Sequence, residues 1–433
     1  MSDDLCQCLR CCYNNNVGFI STRIAGTDGV SLETMKWADI FEKEGFNCYF
    51  FAGELETPEE RSFPVPKAHF RNRTIREIYT KCFGTHHRSR SVSKKIMEEK
   101  EELKDSLYEF ISRFKLSLLV PQNALTIPLN LPLGLALTEL ISETGIKVIA
   151  HHHDFFWERT HFLTNGVWEY LNMAFPPHLP SIHHVVINSS AANQLGLRTG
   201  ISSTIIPNVM DFENPPGPSD GYADDVREAF GIAPDEYFIL QPTRVVKRKG
   251  IEHSIELVSR LGLKATLVIS HASGDEGFDY EHRIREYAKL MNVRTLFVSE
   301  RINEHRGVTK DGRKVYTLND IYPQADLITY PSTFEGFGNA FLEAIYFGKP
   351  IVVNSYSIYS MDIKPKGFDV IELDGYVTSK AVAMTRKVLK DEFFRKHMVD
   401  HNYELASMFY SYRILEKKIH SILDEISPCL KRG

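Results

Sequence analysis

The segment PSTFEGFGNAFLEAIYFGKP, residues 331–350, decides the fold of the second half of this 433-residue chain. It follows an apolar run at 327–330 that is typical of a buried strand, and its own pattern becomes helical and closes at Gly348. Gly336 and Gly338 allow backbone amides to approach a ligand at the turn between them. Because a glycine-rich turn between a strand and the amino end of a helix is a natural anion site, the segment predicts a ligand-binding α/β domain.

Strand-like and helical patterns alternate through both halves of the chain, which predicts two parallel α/β domains. The predicted strands lie at 17–22, 48–52, 116–120, 148–150, 184–188, 237–241, 265–270, 295–299, 327–330 and 350–354. The main predicted helices lie at 31–44, 91–114, 339–347 and 393–426. The segment 211–222 is rich in proline, glycine and acidic residues and cannot continue a helix or a central strand. We therefore expect one domain at 1–211 and a second at 212–433.

The composition argues against nucleic-acid binding and against a membrane span. The formal net charge is −5, from 51 basic and 56 acidic residues, so the surface has no general attraction for nucleic acid. No apolar run reaches the roughly 18 residues that a membrane-spanning helix needs. The amino-terminal segment lacks the long apolar stretch of a signal peptide. We expect a cytoplasmic protein without a transmembrane segment, and the composition leaves peripheral membrane association and the oligomeric state open.

Seven cysteines, an odd number in a large chain, fit a reducing compartment better than a disulfide framework. Four of them crowd the amino terminus: Cys6, Cys8, Cys11 and Cys12. Thiolates bind soft metals, but this spacing matches no ordinary pair of Cys-x-x-Cys knuckles. We expect residues 1–15 to form a flexible tail without a metal.

Arg244 and Lys249 follow the predicted strand at 237–241, at the end of a strand where open α/β sheets bind ligands. A guanidinium fork and a lysine ammonium together suit a diphosphate. The alternative is a solvated basic loop, since Lys247 and Arg248 lie there as well.

Two glutamates flank the glycine turn. Glu343 lies about one turn inside the predicted helix, where a carboxylate can accept hydrogen bonds from ribose hydroxyls. Glu335, in the loop, would instead reach hydroxyls of a transferred sugar. As an alternative, the two acids are a charge at the start of a helix and an exposed residue on its face. Their combination with Arg244 and Lys249 upstream favours a nucleotide-sugar site.

The order Arg…Lys-Gly…Pro-Ser…Glu-Gly-Phe-Gly-x-x-x-x-Glu resembles glycosyltransferase family four, the retaining group 1 glycosyltransferases. The resemblance implies a GT-B fold, an α/β architecture of two Rossmann-like domains facing each other across a cleft, with a last helix (about 405–433) crossing back to the first domain. It implies that Arg244 and Lys249 hold the donor diphosphate and that Glu343 binds the donor ribose. The residues implied to orient the donor sugar are Glu335, Gly336, Phe337, Gly338 and Asn339.

The first domain carries a segment, AGTDGV at 25–30, that is similar to the family's glycine loop, whose backbone approaches the donor phosphate. Many members have two adjacent glycines there, whereas Gly26 and Gly29 are separated in this chain, and we expect Gly29 to meet the phosphate. The loop is not a G-x-G-x-x-G fingerprint, which argues against a nicotinamide cofactor.

Three histidines and an aspartate, HHHD at 151–154, follow the predicted strand at 148–150. Family members place a histidine at this strand end against the donor sugar, so His153 is the first candidate and His152 the second. The alternative is a set of ordinary loop histidines. A metal site would need ligands from elsewhere in the chain, and we expect none.

These implications predict a hexosyltransferase that moves a sugar from a nucleoside diphosphate, with uridine favoured, to a hydroxyl of a sugar or glycan acceptor. Its predicted catalytic residues are His153, Glu335, Arg244 and Lys249, and it needs no cofactor because cations and a helix end stabilise the leaving diphosphate. The segment 297–302 is expected beside the base, and the loops at 54–90 and 155–180 beside the acceptor. The alternatives are a phosphorylase or nucleotide-sugar epimerase on the same fold, and a non-catalytic binding module.

Overall fold

The computed structural model describes residues 15–26, 28–273 and 278–426. They form two compact units, one made of residues up to Asn208 together with those from Leu415 onward, and the other of Val209–Ile414. The amino-terminal cysteine cluster and nearly all of the expected tail lie outside the described residues, as do Thr27 and the end of the last predicted helix. Each unit is built on its own sheet.

The first sheet is entirely parallel and has the strand order β3-β2-β1-β4-β5-β6-β7. Its strands are β1 (Asn16–Ile20), β2 (Asn47–Ala52), β3 (Ser62–Pro64), β4 (Leu118–Pro121), β5 (Lys147–His152), β6 (Ile182–Val186) and β7 (Thr204–Ile205). Every residue of β1 and β4 is buried, because a parallel sheet is covered by helices on both faces.

The second sheet is also parallel and has the order β10-β9-β8-β13-β14-β15, with a separate antiparallel hairpin formed by β11 and β12. Its strands and those of the hairpin are β8 (Tyr237–Gln241), β9 (Ala265–Ile269), β10 (Thr295–Phe297), β11 (Gly307–Val308), β12 (Lys314–Val315), β13 (Leu327–Tyr330), β14 (Ile351–Asn354) and β15 (Ile371–Leu373). Two parallel sheets interleaved with helices confirm the predicted α/β class.

Helices connect the strands and cover both sheets. In chain order they are α1 (Gly29–Lys43), α2 (Arg73–Cys82), α3 (Arg90–Phe114), α4 (Leu131–Thr144), α5 (Thr160–Leu163), α6 (Trp168–Ala174), α7 (Ser189–Thr199), α8 (Val226–Ala229), α9 (Ile251–Leu261), α10 (Asp279–Leu290), α11 (Leu318–Ile321), α12 (Asn339–Tyr346), α13 (Ser379–Lys390), α14 (Glu392–Tyr410) and α15 (Tyr412–Ile426). Among the described residues, no helix combines the length and the apolar character that a membrane span requires.

The closing stretch at 393–426 is helical, as predicted, but it forms two helices. The chain leaves the helical conformation at Ser411, whose backbone is extended with φ −81° and ψ 163°, and this residue separates α14 from α15. The break lies close to the point where the chain passes from the second unit to the first. His420 on α15 pairs with Glu44 at the end of α1, with 2.9 Å between Nε2 and Oε1, which fixes α15 to the first unit.

Gly250 lets the turn after β8 approach the loop after β13. Its φ is 59°, and a Cβ at this position would lie only 2.4 Å from the carbonyl oxygen of Pro331. The two strands are parallel neighbours, so both turns project from the same edge of the sheet. The close approach places Lys249 beside the loop that carries Glu335.

We predict that Gly250→Ala destabilises the second unit more than Gly262→Ala. Both glycines have φ of 59° and flank α9, but a Cβ at Gly262 would meet only Arg386 Nη2 at 3.7 Å. The left-handed backbone alone costs an alanine about 1 kcal/mol at either site. The contact with Pro331 should add at least about 1 kcal/mol at Gly250, since overpacking against backbone is hard to relieve.

Hydrogen exchange of the β8 and β13 amides in the two variants measures this difference as a change in opening free energy. Equal losses in the two variants would contradict the close approach of the two turns.

Candidate active site

A buried ion pair joins the turn after β8 to the loop after β13. Lys249 Nζ donates a hydrogen bond to one carboxylate oxygen of Glu335, and the two residues are only 9% and 8% exposed. Arg248 Nη1 donates to the other carboxylate oxygen at 3.1 Å and to the carbonyl of Phe334 at 3.3 Å. The structure thus brings together Lys249 and Glu335, two of the predicted site residues. It also adds Arg248, which the sequence analysis named only as part of a possible solvated loop.

The charges of this group leave an excess of positive charge. Burial alone would raise the pKa of Glu335, but Lys249 and Arg248 hold it below the ordinary value, so the carboxylate is ionised at neutral pH. The pKa of Lys249 lies below its ordinary value because the ammonium is buried, while Arg248 and Arg244 add to that shift and Glu335 opposes it. Two cations that share one carboxylate, with Arg244 acting on Lys249 as well, form a setting that favours an added anion.

Arg244 lies at the same sheet edge, and it is accompanied by His271. The side chain of Arg244 is exposed, and His271 lies two residues beyond the end of β9. The pKa of His271 is lowered to about 4 by burial and then by the positive charges of Arg244 and Lys249, so the three side chains are neighbours. His271 Nδ1 lies 2.6 Å from Ser270 Oγ. Sequence reasoning missed His271, although the rule that strand ends share one edge would have found it.

The glycine turn before α12 has no room for a side chain at Gly338. Its φ is 116°, and a Cβ would meet the hydroxyl oxygen of Tyr356 at 2.6 Å. That hydroxyl donates to the carbonyl of Phe337 at 2.7 Å, while the ring of Phe337 packs against Tyr410. The helix α12 begins at Asn339, as predicted. Gly336 lies between Glu335 and this turn.

Glu343 lies on α12, one turn beyond Asn339, and it is half-buried. The hydroxyl of Tyr322 donates to Glu343 Oε2 at 2.6 Å. This partner was missed in the sequence because it lies in a turn before β13, and only the fold brings it to the helix. The tyrosine orients the carboxylate that was predicted to bind ribose.

The glycine loop of the first unit lies at the carboxyl end of β1, where α1 begins. Gly29 is the first residue of α1, and Asp28 caps the helix by accepting from the amides of Val30 and Ser31 at 3.1 and 3.2 Å. Gly26 has φ of 72°, and its amide donates to Glu56 Oε2 at 2.9 Å. The loop has the predicted position, and two of its helix-end amides are held by Asp28.

The two histidine candidates have different environments. His152 is fully buried, and its Nε2 lies 2.9 Å from Nδ1 of His184. His153 is half-buried, its Nε2 lies 3.2 Å from Gln122 Oε1, and burial lowers its pKa to about 4, while Asp154 and Asp28 oppose the shift. The influence of Asp28 shows that His153 lies near the glycine loop within the first unit. A neutral, partly accessible ring favours His153 over His152 as the residue that meets a ligand.

The sequence comparisons identify the family. The family model for glycosyl transferases group 1 matches residues 223–404. The mannosylglucosylglycerate synthase of Thermotoga maritima is 33% identical over 427 residues, covering 90% of this chain and 95% of that protein. The enzyme of the same name from Petrotoga mobilis is 33% identical over 382 residues, covering 82% and 86%. The chain belongs to the group 1 glycosyltransferases.

Solved structures superpose on this chain over nearly its whole length. A glycosyltransferase from Rickettsia africae superposes with a TM-score of 0.68 at 14% identity, covering 97% of this chain and 100% of that one. Sucrose-phosphate synthase from Thermosynechococcus elongatus gives a TM-score of 0.66 at 13% identity, covering 96% and 99%. These likenesses confirm the predicted GT-B class, and the family match confirms that the chain is a glycosyltransferase.

We predict that mild acid destabilises the first unit through its buried histidines. The pKa values of His153 and His184 are lowered to about 4, chiefly by burial, and burial lowers that of His151 and His152 as well. Since an unfolded histidine titrates near 6.5, the unfolded chain binds more protons below that pH. The stability contribution of these groups is therefore complete above about pH 6.5 and is lost as the pH falls toward 4.

Removing one of these histidines should flatten that dependence. We expect His184→Gln to lose up to about 1.4 kcal/mol less stability per pH unit than the wild type between pH 6.5 and 5. Unfolding followed by tryptophan fluorescence reports the first unit alone, because the three tryptophans are Trp37, Trp157 and Trp168. His86→Gln, at an exposed position, is the matched control. If the pH dependence of stability were the same in His184→Gln as in the wild type, the acid sensitivity could not be attributed to His184.

Proposed function

We propose that this glycosyltransferase moves a hexosyl group, with retention of configuration, from a nucleoside diphosphate to a hydroxyl of a sugar-type acceptor. The observation that carries the proposal is the buried Lys249–Glu335 pair, with Arg248, Arg244 and His271 around it. A diphosphate supplies the negative charge that this cationic edge lacks, and the glycine turn before α12 supplies amides beside it.

The chemistry needs a group that stabilises the departing diphosphate. Arg244, Lys249 and the amino end of α12 would stabilise the negative charge that develops on the departing diphosphate. Such electrostatic stabilisation is commonly the largest contribution to catalysis of this kind. Retention then follows if the acceptor hydroxyl attacks on the face that the diphosphate leaves and gives its proton to that diphosphate. On this proposal the reaction uses neither a metal nor another cofactor.

On this proposal the two glutamates bind different parts of the donor. A carboxylate has about four lone-pair positions, so Glu335 can accept from hydroxyls of the transferred sugar while it keeps Lys249 and Arg248. Glu343, oriented by Tyr322, would accept from the ribose hydroxyls. His153, Gly26 and Gly29 of the first unit stay predictions from the sequence, with Gly29 predicted to meet the donor phosphate.

The names of the relatives indicate the transferred sugar and the acceptor. Two proteins that are 33% identical over most of this chain are mannosylglucosylglycerate synthases. We therefore propose mannose as the hexose and a glucosylglycerate-type glycoside as the acceptor. Uridine stays the predicted base, and guanosine and adenosine are the competing bases in the test.

We predict that a nucleoside diphosphate raises the melting temperature of the protein. Since the ligand binds only the folded state, a concentration of 100 times Kd adds about 2.7 kcal/mol of stability. UDP, GDP and ADP tested side by side identify the base by the largest shift. Inorganic phosphate is the control, because a shift with phosphate and none with any nucleotide would favour a phosphorylase.

The melting-temperature assay, together with a measurement of activity, separates the roles of the glutamates. Glu343→Ala should weaken nucleotide binding, whereas Glu335→Gln, which keeps the shape of the side chain, should mainly lower kcat. An equal loss of nucleotide affinity in the two variants would overturn this division. Activity with a donor but without any acceptor would instead indicate an epimerase.

A further inference from the structure

Two arginines of the first unit lie against one aromatic ring, at the edge that also carries the glycine loop. The guanidinium carbon of Arg23 lies 5.9 Å from the centroid of Phe70, and that of Arg71 lies 5.6 Å from it. The imidazole of His69 stacks on the same ring, with centroids 4.5 Å apart and planes inclined by 21°. These four side chains, Arg23, His69, Phe70 and Arg71, form a cationic cluster with a partly apolar floor.

The fold places this cluster at the carboxyl edge of the first sheet. Arg23 follows β1, and its neighbour Ile24 runs beside Leu55, whose segment follows β2, the parallel neighbour of β1. Gly53 lets the turn at 69–71 lie against the end of β2, because a Cβ there would be 2.2 Å from the His69 amide nitrogen. Open α/β sheets bind ligands at this edge, and the glycine loop lies on the same edge.

Three acids lie near the cluster, namely Asp28, Glu54 and Glu56. Arg23 pairs with Asp28 at 2.8 Å, but that carboxylate also accepts from two α1 amides and the Ser31 hydroxyl. Glu54 lies 3.2 Å from His69, and Glu56 accepts from the amide of Gly26. A guanidinium has five N–H donors, so Arg23 keeps donors for a ligand while it holds Asp28.

His69 lies within the electrostatic influence of both arginines and of Glu54. The pKa of His69 lies below its ordinary value because the ring is partly buried; Glu54 opposes this shift, and Arg23 and Arg71 add smaller contributions to it. The imidazole therefore adds no charge to the cluster at neutral pH.

We propose that Arg23 and Arg71, both held against Phe70, bind the carboxylate of the acceptor substrate. This inference rests on the proposed function, since a glucosylglycerate-type acceptor carries one carboxylate beside its sugar. A guanidinium matches a carboxylate in charge and in hydrogen-bonding geometry, and a second one adds further donors. The cluster would select acidic acceptors over neutral glycosides of the same size.

The test compares two acceptors that differ in the acid group, glucosylglycerate and glucosylglycerol, in the wild type and in variants. We expect the wild type to prefer the acid by about 10- to 100-fold in kcat/KM, the range for hydrogen bonds to a charged group. Arg71→Gln and Arg23→Gln should lose most of that preference through a higher KM for glucosylglycerate. Arg73→Gln is the matched control, because the side chain of Arg73 is 94% exposed and pairs with Glu77 one turn along its own helix.

The melting shift caused by nucleoside diphosphate is measured in the same proteins. It should be unchanged in all three variants, which also shows that they are folded. A lost nucleotide shift in Arg23→Gln and Arg71→Gln would assign the cluster to the donor phosphate and overturn the inference. A full preference for the acid in both variants would overturn it while leaving the proposed function intact. A wild type that responds to nucleotide but uses neither acceptor would remove the proposed acceptor, and the inference with it.

Discussion

The ion pair between Lys249 and Glu335 is the interaction on which the proposed donor site depends. Two charged side chains that are more than 90% buried are stable only because each neutralises the other, and removing one partner of such a pair typically costs about 3–5 kcal/mol. The pair also joins the turn after β8 to the loop after β13, which Gly250 allows to meet. Arg248 closes the group on its other side. The cost of burying these charges is consistent with a site built to receive an anion.

In both units the candidate functional residues lie at the carboxyl edge of a parallel sheet. In each, residues that follow neighbouring parallel strands meet at the carboxyl edge of the sheet. In the second unit this edge holds a lysine and arginines around a carboxylate, together with a glycine turn and a helix end. In the first unit it holds the glycine loop, His153 and the arginine pair against Phe70. We propose that the edge of the second unit binds the donor diphosphate and that the arginine pair of the first unit recognises an acidic acceptor.

Much of the fold followed from the sequence, because long apolar strands and the glycine turn before α12 are local signals. The meeting of Lys249 and Glu335 could also be expected, since strand ends share one edge. The short strands β3, β7 and β15 and the hairpin β11–β12 were missed, because two or three residues carry no periodicity. The break at Ser411 has no proline or glycine to mark it, and the roles of Arg248, His271 and Tyr322 arise only from tertiary contacts.

A crystal structure of the protein with a bound nucleoside diphosphate sugar is the most direct measurement. The diphosphate oxygens should lie within hydrogen-bonding distance of Arg244 and Lys249, with Glu335 still held by Lys249 and facing the sugar. A diphosphate bound elsewhere, with the lysine–glutamate pair unaltered and untouched, would contradict the assignment of this sheet edge to the donor.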